Sequence, residues 1–297
     1  MKNKEFERKN KEDMPVIAIC YDFDRTLSPD DMQAQGFIQS VGYNVVDFWR
    51  ESNDLATDND MDQNLSYMLK MFIESEGHFV LNKKALNDYG ANIRLFPGVE
   101  TWFERIREYG KQNGVIIEHY IISSGLKEMI EGTSVAKSGA FEKIYASSFY
   151  YNKRGVAVWP AQVVNFTNKT QYLFRIEKGV LDINDPAVND HFEPEDLRVP
   201  FRNMIYIGDG LTDIPCMQLL KDKGGKSIAL YQPQYKDKVI PLVEDNRLSY
   251  VCNADYTANS TLDSIVKLMI DNMVLVEQLK NKEEKKLQSF LKADENK

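Results

Sequence analysis

The chain has 297 residues, of which 43% are hydrophobic and 28% charged, and its 37 basic and 45 acidic residues give a formal net charge of −8. This composition is typical of a folded globular protein with one large or two unequal domains, and it excludes global disorder. Because the acidic chain has no Lys/Arg-rich run and no apolar run of about 18 residues, we expect neither a nucleic-acid nor a membrane partner.

The cysteines and the N-terminal segment predict a cytoplasmic protein. Cys20, Cys216 and Cys252 lie far apart without a CxxC pair, which argues against a thiolate zinc site and against a disulfide framework. Residues 1–14 are almost all charged or polar, unlike a secretory signal, and we interpret them as a polar tail.

The first predicted strand is the apolar, β-branched run at 16–21, which ends abruptly in the sequence DFDRTL at 22–27. Residues 31–91 then carry helical stripes of apolar residues and no strand-like alternation. A Phe-Pro-Gly sequence at 96–98 closes this block. We therefore predict one strand followed by a helical segment.

Strands and helices alternate over the rest of the chain. A predicted strand at 116–122 ends in Ser-Ser-Gly, and another at 204–207 runs into GDGLTD. The runs 144–151 and 156–164 flank a polar turn, which predicts a hairpin. The remaining predicted elements are helices at 99–109, 126–131 and 169–178, a surface loop at 182–200, strands at 227–231 and 250–252, and a long amphipathic helix from Thr261.

This alternation predicts an α/β fold with a doubly wound parallel sheet. We predict that residues 15–28 and 96–297 form the core and that 29–95 form an inserted, all-helical cap. Ligands of such sheets bind outside the carboxyl ends of the strands, so the Asp-x-Asp, Ser-Ser-Gly and Gly-Asp-Gly clusters should converge on one crevice.

Four aspartates should meet in that crevice: Asp22 and Asp24 at one strand end, Asp209 and Asp213 after another. Carboxylates gathered without a cation raise one another's pKa, which is unfavourable. A hard divalent cation resolves this conflict, and ligands that are all oxygen favour Mg²⁺ over zinc.

These motifs resemble the haloacid dehalogenase (HAD) superfamily of phosphatases and phosphotransferases. DFDRTL matches the DxDxT signature, and three further signals follow in that superfamily's order: IISSG at a strand end, NKT opening a helix, and GDGLTD after a strand. The resemblance spans roughly residues 15–255. The position of the cap, between the first and second motifs, is similar to the phosphoserine phosphatase branch.

The resemblance implies a HAD-type Rossmann-like core and a role for each aspartate. Asp22 would be the nucleophile that forms an aspartyl-phosphate, and Asp24 would protonate the leaving oxygen and then deprotonate the attacking water. Mg²⁺ would be held by the Asp22 carboxylate, the Asp24 backbone carbonyl and Asp209. Asp213 would not bind the metal directly but would orient the metal's waters or the neighbouring ligands.

The resemblance also implies phosphate-binding groups. The Ser123 hydroxyl would bind a phosphate oxygen, helped by backbone N–H groups of Ser124 and Gly125 at a helix start. Lys169 would offset the charge of the nucleophile and of the transferring group, with Lys178 as the competing candidate.

Thr26 and Arg25 complete the candidates from the first motif. Thr26 is included with the substrate-binding residues and is expected to brace the turn. Arg25 is larger than the residue many relatives carry there, and its role, toward substrate anions or toward solvent, stays open. Trp49, Trp102 and Trp159 are expected in the core.

The predicted cap has 11 acidic and 5 basic residues, a net charge of −6. Such a lid disfavours polyanions, so we expect a small phosphorylated metabolite as the ligand, with an amine as one suitable feature. The leading hypothesis is a Mg²⁺-dependent phosphomonoester hydrolase. The alternatives are a phosphotransferase or mutase with the same intermediate, or a non-catalytic phosphate-binding regulatory protein. The sequence leaves the physiological substrate and the oligomeric state open.

Overall fold

A computed structural model describes residues 10–11 and 14–295, so most of the polar segment 1–14 lies outside the described residues. The strands form one sheet in the order β5-β4-β3-β2-β6-β7-β8, with β1 paired to β2. The strands are β1 (Asn10–Lys11), β2 (Met14–Tyr21), β3 (Ile116–Leu126), β4 (Lys143–Tyr151), β5 (Ala157–Gln162), β6 (Met204–Gly208), β7 (Lys226–Tyr231) and β8 (Tyr250–Asn253).

All neighbouring strands from β4 to β8 along the sheet run parallel, whereas β5 and β1 are antiparallel to their partners. The antiparallel pair β4–β5 is the hairpin that the sequence predicts, and its turn is closed by the bond from Asn152 N to Val156 O, 2.9 Å. The predicted α/β fold with a parallel sheet is confirmed.

The helices of the described residues include the four that the sequence predicts as a helical segment after β2. The N-cap side chains of Asn44, Asp62 and Asn82 each accept a backbone N–H at the start of one of these helices, which explains where they begin. The α-helices are α1 (Phe37–Ser40), α2 (Val45–Asp58), α3 (Gln63–Ser75), α4 (Lys83–Gly90), α5 (Val99–Gln112), α6 (Lys127–Gly132), α7 (Ser134–Lys137), α8 (Thr170–Lys178), α9 (Ile214–Asp222), α10 (Ile240–Glu244) and α11 (Thr261–Glu295).

Short 3-10 helices fill several connections: Met32–Ala34, Phe166–Lys169, Pro186–Asn189, Phe201–Asn203, Leu211–Asp213 and Pro233–Lys238. None of the helices among residues 10–11 and 14–295 is long and apolar enough to cross a membrane. The cytoplasmic location stays a prediction.

The central strand β2 has buried residues on both faces, as a doubly wound sheet requires. Ile17, Ile19 and Tyr21 belong to one buried cluster, while Val16 and Ala18 belong to the cluster on the opposite face. Helices α5 and α11 contribute to the first cluster, and α8 and α9 contribute to the second.

One of the three tryptophans departs clearly from the expected core positions, and Trp49 packs against the core only in part. Trp102 is fully buried and donates its indole N–H to the Tyr21 hydroxyl, 2.8 Å away. Trp159 is 72% exposed on strand β5, which lies at one edge of the sheet. Trp49 is half-buried in α2 and borders the cavity described below.

The helical segment α1–α4 is fastened to the sheet by several contacts. The Tyr67 hydroxyl of α3 donates to the Ser124 carbonyl at 2.8 Å, and Asn64 Nδ2 donates to the Val164 carbonyl at 2.7 Å. These bonds hold α3 above the carboxyl ends of the parallel strands.

Candidate active site

The three motif-bearing strands are direct neighbours in the sheet, because β2 lies between β3 and β6. Tyr21, the last residue of β2, is in register with Ile121 on one side and Ile207 on the other. The Asp22 N–H then donates to the Ile207 carbonyl at 3.0 Å. The residues that follow these strands therefore meet at one edge, where the sequence places the crevice.

A buried lysine connects two of the aspartates. Lys169 Nζ lies 2.9 Å from Asp22 Oδ2 and 2.8 Å from Asp213 Oδ1, and its side chain is fully buried. Thr212 Oγ1 accepts a third bond at 3.3 Å. Two carboxylates stabilise the ammonium more than burial disfavours it, so the pKa of Lys169 is raised and the lysine is charged.

The competing candidate, Lys178, lies elsewhere. Its ammonium donates to the carbonyls of Val188 and Asp190, at 2.8 and 2.7 Å, on the loop after α8. Lys169 is therefore the lysine that the fold brings to the aspartates.

Asp213 is held entirely by protein donors. Its Oδ1 accepts from Lys169 and from the Tyr206 hydroxyl at 2.7 Å, and its Oδ2 accepts from the Gly210 N–H at 3.2 Å. A side chain at Gly208 would lie 2.3 Å from Asp213 Oδ2, so only glycine permits this close approach. Sequence reasoning missed Tyr206, because a tyrosine inside an apolar strand gives no sign of the carboxylate it meets.

Carboxylate oxygens of Asp22, Asp209 and Asp213 all lie within 4.8 Å of one another. Burial raises the pKa of Asp22, an effect that Lys169 partly offsets and Asp213 reinforces. The pKa of Asp209 is well above its usual range because of burial and then the charges of Asp213 and Asp22. An all-oxygen cluster with these elevated pKa values fits a hard divalent cation.

Asp24 borders the crevice just beyond the end of β2. Its Oδ1 accepts the Met32 N–H at 2.8 Å, and its Oδ2 would lie 2.9 Å from a Cβ placed on Gly125. Burial, followed by the charges of Asp31 and Asp22, raises the pKa of Asp24 well above its usual range. A carboxyl group in this setting holds a proton more readily than an exposed aspartate.

The Ser-Ser-Gly sequence differs from the prediction in one respect. Strand β3 continues to Leu126 and α6 begins at Lys127, so the N–H groups of Ser124 and Gly125 do not lie at a helix start. The Gly125 N–H instead donates to Ser123 Oγ at 3.1 Å. The strand continues because Leu126 still pairs with Ser147 of β4, after an irregularity in register. All three residues of the sequence border the cavity.

Thr26 is not among the described residues that border the crevice, and its inclusion with the substrate-binding residues stays a prediction. Its side chain is fully buried, and its backbone N–H and carbonyl bond to the Phe23 carbonyl and the Tyr256 hydroxyl, respectively. The predicted bracing of the turn agrees with this position. Arg25 has a left-handed backbone (φ 57°) and pairs with Asp31 at 2.8 Å, so it borders the cavity as half of an ion pair.

The crevice is a cavity of about 700 Å³ between the strand ends and the helical segment. Besides the aspartates and the Ser-Ser-Gly sequence, several neutral residues of the helical segment border it, which sequence reasoning did not single out. These are Gln33, Trp49, Asn53, Gln63, Asn64 and Tyr67. Of the predicted cap's acidic residues, all within the described part of the chain, Asp31 borders this cavity and the others do not.

The fold and this crevice define an α/β protein with an acidic site at the strand ends. The family model of haloacid dehalogenase-like hydrolases matches residues 19–218, more than half of the chain. The chain belongs to this family.

The chain is also similar to several known proteins. An uncharacterized protein of Borreliella burgdorferi is 29% identical over 278 residues, covering 83% of this chain and 94% of that protein. A HAD family hydrolase of Salmonella enterica serovar Typhi has a similar structure, with a TM-score of 0.56, 17% identity, and coverage of 88% of this chain and 73% of that one. A substrate-bound phosphoserine phosphatase gives a TM-score of 0.52 and 13% identity, covering 87% of this chain and 99% of that one. At these identities the solved structures show a shared fold.

Proposed function

We propose that this HAD-like hydrolase is a Mg²⁺-dependent phosphatase that cleaves a small phosphomonoester through an aspartyl-phosphate on Asp22. The observation that carries the proposal is the placement of Asp22. Its carboxylate is 6% exposed at the floor of the cavity, with Oδ2 held by Lys169 and Oδ1 held by the Phe23 N–H at 2.7 Å. A nucleophile fixed in this way keeps one orientation toward an incoming phosphorus atom.

The charges around Asp22 support transfer of an anionic group. A phosphate dianion is repelled by a carboxylate unless nearby cations offset both charges. Lys169 supplies one positive charge, since its Nζ lies 2.9 Å from Asp22 Oδ2. When bound, Mg²⁺ would supply the second, held by the Asp22 carboxylate, the Asp24 backbone carbonyl and Asp209, while Asp213 orients Lys169 from behind.

Asp24 and Ser123 complete the proposed machinery. The Met32 N–H fixes the Asp24 carboxyl on the cavity wall, where it would protonate the leaving oxygen and then take a proton from the attacking water. The Ser123 hydroxyl, at the end of β3, would donate to a phosphate oxygen. The helical segment, residues 29–95, would act as the cap that excludes water from this chemistry. The fold shared with a phosphoserine phosphatase supports this assignment.

The proposal is tested with the Asp22→Asn variant. We expect phosphate release from small esters in Mg²⁺ to fall by at least about 10³-fold, because the amide is a far poorer nucleophile. Asp255→Asn is a matched control, since Asp255 serves a surface turn by accepting from the Thr257 N–H at 2.9 Å. Near-full activity of Asp22→Asn, or wild-type activity that EDTA does not affect, would contradict the proposal.

A further inference from the structure

The cavity has a charged floor and an uncharged roof. The floor consists of the aspartates at the strand ends. The roof, from the helical segment, presents amide and aromatic side chains: Gln33, Trp49, Asn53, Gln63, Asn64 and Tyr67. The charged groups at the junction, Arg25 and Asp31, pair with each other at 2.8 Å and largely cancel. A ligand's leaving group would therefore meet neutral polar atoms.

Gln33 is one roof residue whose side-chain amide has unmet hydrogen-bonding capacity. It is only 2% exposed, and it follows Met32, whose N–H holds the carboxyl of Asp24. Within residues 10–11 and 14–295, its amide makes no hydrogen bond to the protein, although it borders the cavity. An amide that borders a cavity and has no protein partner can bind a ligand group close to the proton donor.

Two further neutral groups at the cavity lack partners. Trp49 Nε1 and Ser124 Oγ are buried and unbonded in the described part of the chain, and both residues border the cavity. Tyr67 donates its hydroxyl proton to the Ser124 carbonyl, so its oxygen keeps lone pairs to accept. The Trp49 and Tyr67 rings lie 5.9 Å apart, edge to face, and form an aromatic wall.

We infer that the substrate is the phosphate ester of an uncharged, ring-bearing polar alcohol, a sugar or a nucleoside, and that Gln33 determines this specificity. The inference rests on the proposed phosphatase function and names its substrate class. Amides hydrogen-bond hydroxyl and base groups, aromatic faces cover rings, and about 700 Å³ accommodates either kind of alcohol. This substrate class differs from the amine-bearing ligand that the acidic composition of the predicted cap suggests. An amine would need a carboxylate partner, and Asp31, at the junction of floor and roof, is already paired with Arg25.

The test compares kcat/KM across phosphate esters. Hexose 6-phosphates and nucleoside 5′-monophosphates form the neutral arms, phosphoserine and phosphoethanolamine form the charged arm, and acetyl phosphate serves as a small reference. We expect the wild type to prefer at least one neutral arm by about tenfold or more over the charged arm. Whichever neutral arm is favoured distinguishes a sugar from a nucleoside.

The Gln33→Met variant keeps the side-chain length and removes the amide. We expect it to lower kcat/KM for the favoured neutral ester by about tenfold, with little change for acetyl phosphate. The matched control is Gln112→Met, since Gln112 is exposed on α5 and bonds only to Glu108 there, at 2.9 Å. Preference for the charged arm, or an equal effect of Gln33→Met on all esters, would overturn the inference. Hydrolysis of acetyl phosphate in the same assays would still support the proposed phosphatase function.

A binding measurement separates the two proposals if no ester is hydrolysed. Calorimetric titration of the wild type and Gln33→Met with the same esters, in Mg²⁺, requires no turnover. Binding of a neutral ester that Gln33→Met weakens would support the specificity site and refute the phosphatase. Absence of binding by every neutral ester would refute the specificity site as well.

Discussion

Lys169→Met should change the stability of this protein in a pH-dependent way. The substitution leaves a side chain of similar length but removes the charge that lies 2.9 Å from Asp22 and 2.8 Å from Asp213. Both carboxylates are buried, so the variant confines two negative charges without their cation. Removing one partner from a buried ion pair costs about 3–5 kcal/mol, and we expect a loss of this size at pH 8 in the absence of metal.

The loss should shrink as the pH falls. Burial already raises the pKa of Asp22, and without the opposing charge of Lys169 this pKa rises further, so the folded variant binds a proton that its unfolded chain does not. The stability of a protein falls with rising pH wherever the native state holds more protons. The variant is therefore closest to the wild type at low pH, where a carboxylate of the pair is protonated, and furthest from it at high pH.

Urea unfolding at pH 5 and pH 8, with EDTA present, measures this effect. Lys178→Met is the matched control, because the Lys178 ammonium donates to the backbone carbonyls of Val188 and Asp190 and lies 5.1 Å from the centre of the Phe192 ring, and it should cost about 1.5 kcal/mol at either pH. The reasoning is refuted if Lys169→Met costs no more than the control at pH 8, or if its cost is the same at both pH values.

Two further predictions concern single residues. Burial raises the pKa of Glu177 to about 7. Between about pH 4.5 and 7 the native state therefore keeps a proton that the unfolded chain has lost, and the free energy of unfolding falls as the pH rises through this range. Glu177→Gln should remove up to about 3 kcal/mol of that fall, measured by urea unfolding across this range; an unchanged pH profile would contradict it. Gly208→Ala places a carbon 2.3 Å from Asp213 Oδ2 and should displace this carboxylate, so we expect phosphate release to fall by about tenfold or more. Wild-type kinetics in this variant would contradict the prediction.

The parts of the site that follow directly from strand ends could be predicted from the sequence. Asp22 and Asp209 each follow a buried strand, and the parallel sheet places those strands side by side. The predicted lysine, Lys169, also lies at the site, although its burial between two carboxylates depends on how the 3-10 helix before α8 packs. A sequence does not show that packing.

The roof of the cavity could not be predicted in the same way. Trp49 lies on an amphipathic helix, where periodicity shows which residues are apolar but not whether they face the core or a cavity. Gln33 belongs to a three-residue helix that has no periodic signal. The end of β3 was misjudged because its extension to Leu126 depends on pairing with β4, which is a long-range contact. The burial of Thr26 could not be predicted from its local sequence either, since the turn that holds it packs against distant residues; Tyr256, whose hydroxyl bonds the Thr26 carbonyl, lies 230 residues away.

The central claim is that the Asp22 carboxylate attacks phosphorus and carries the phosphoryl group. Acid quenching during turnover, reduction with borohydride, and mass spectrometry of the peptides would identify the phosphorylated residue directly. The account predicts reduction at Asp22 in the wild type and none in Asp22→Asn. Modification at another residue, or rapid phosphate release with Asp22 unmodified at every quench time, would contradict it.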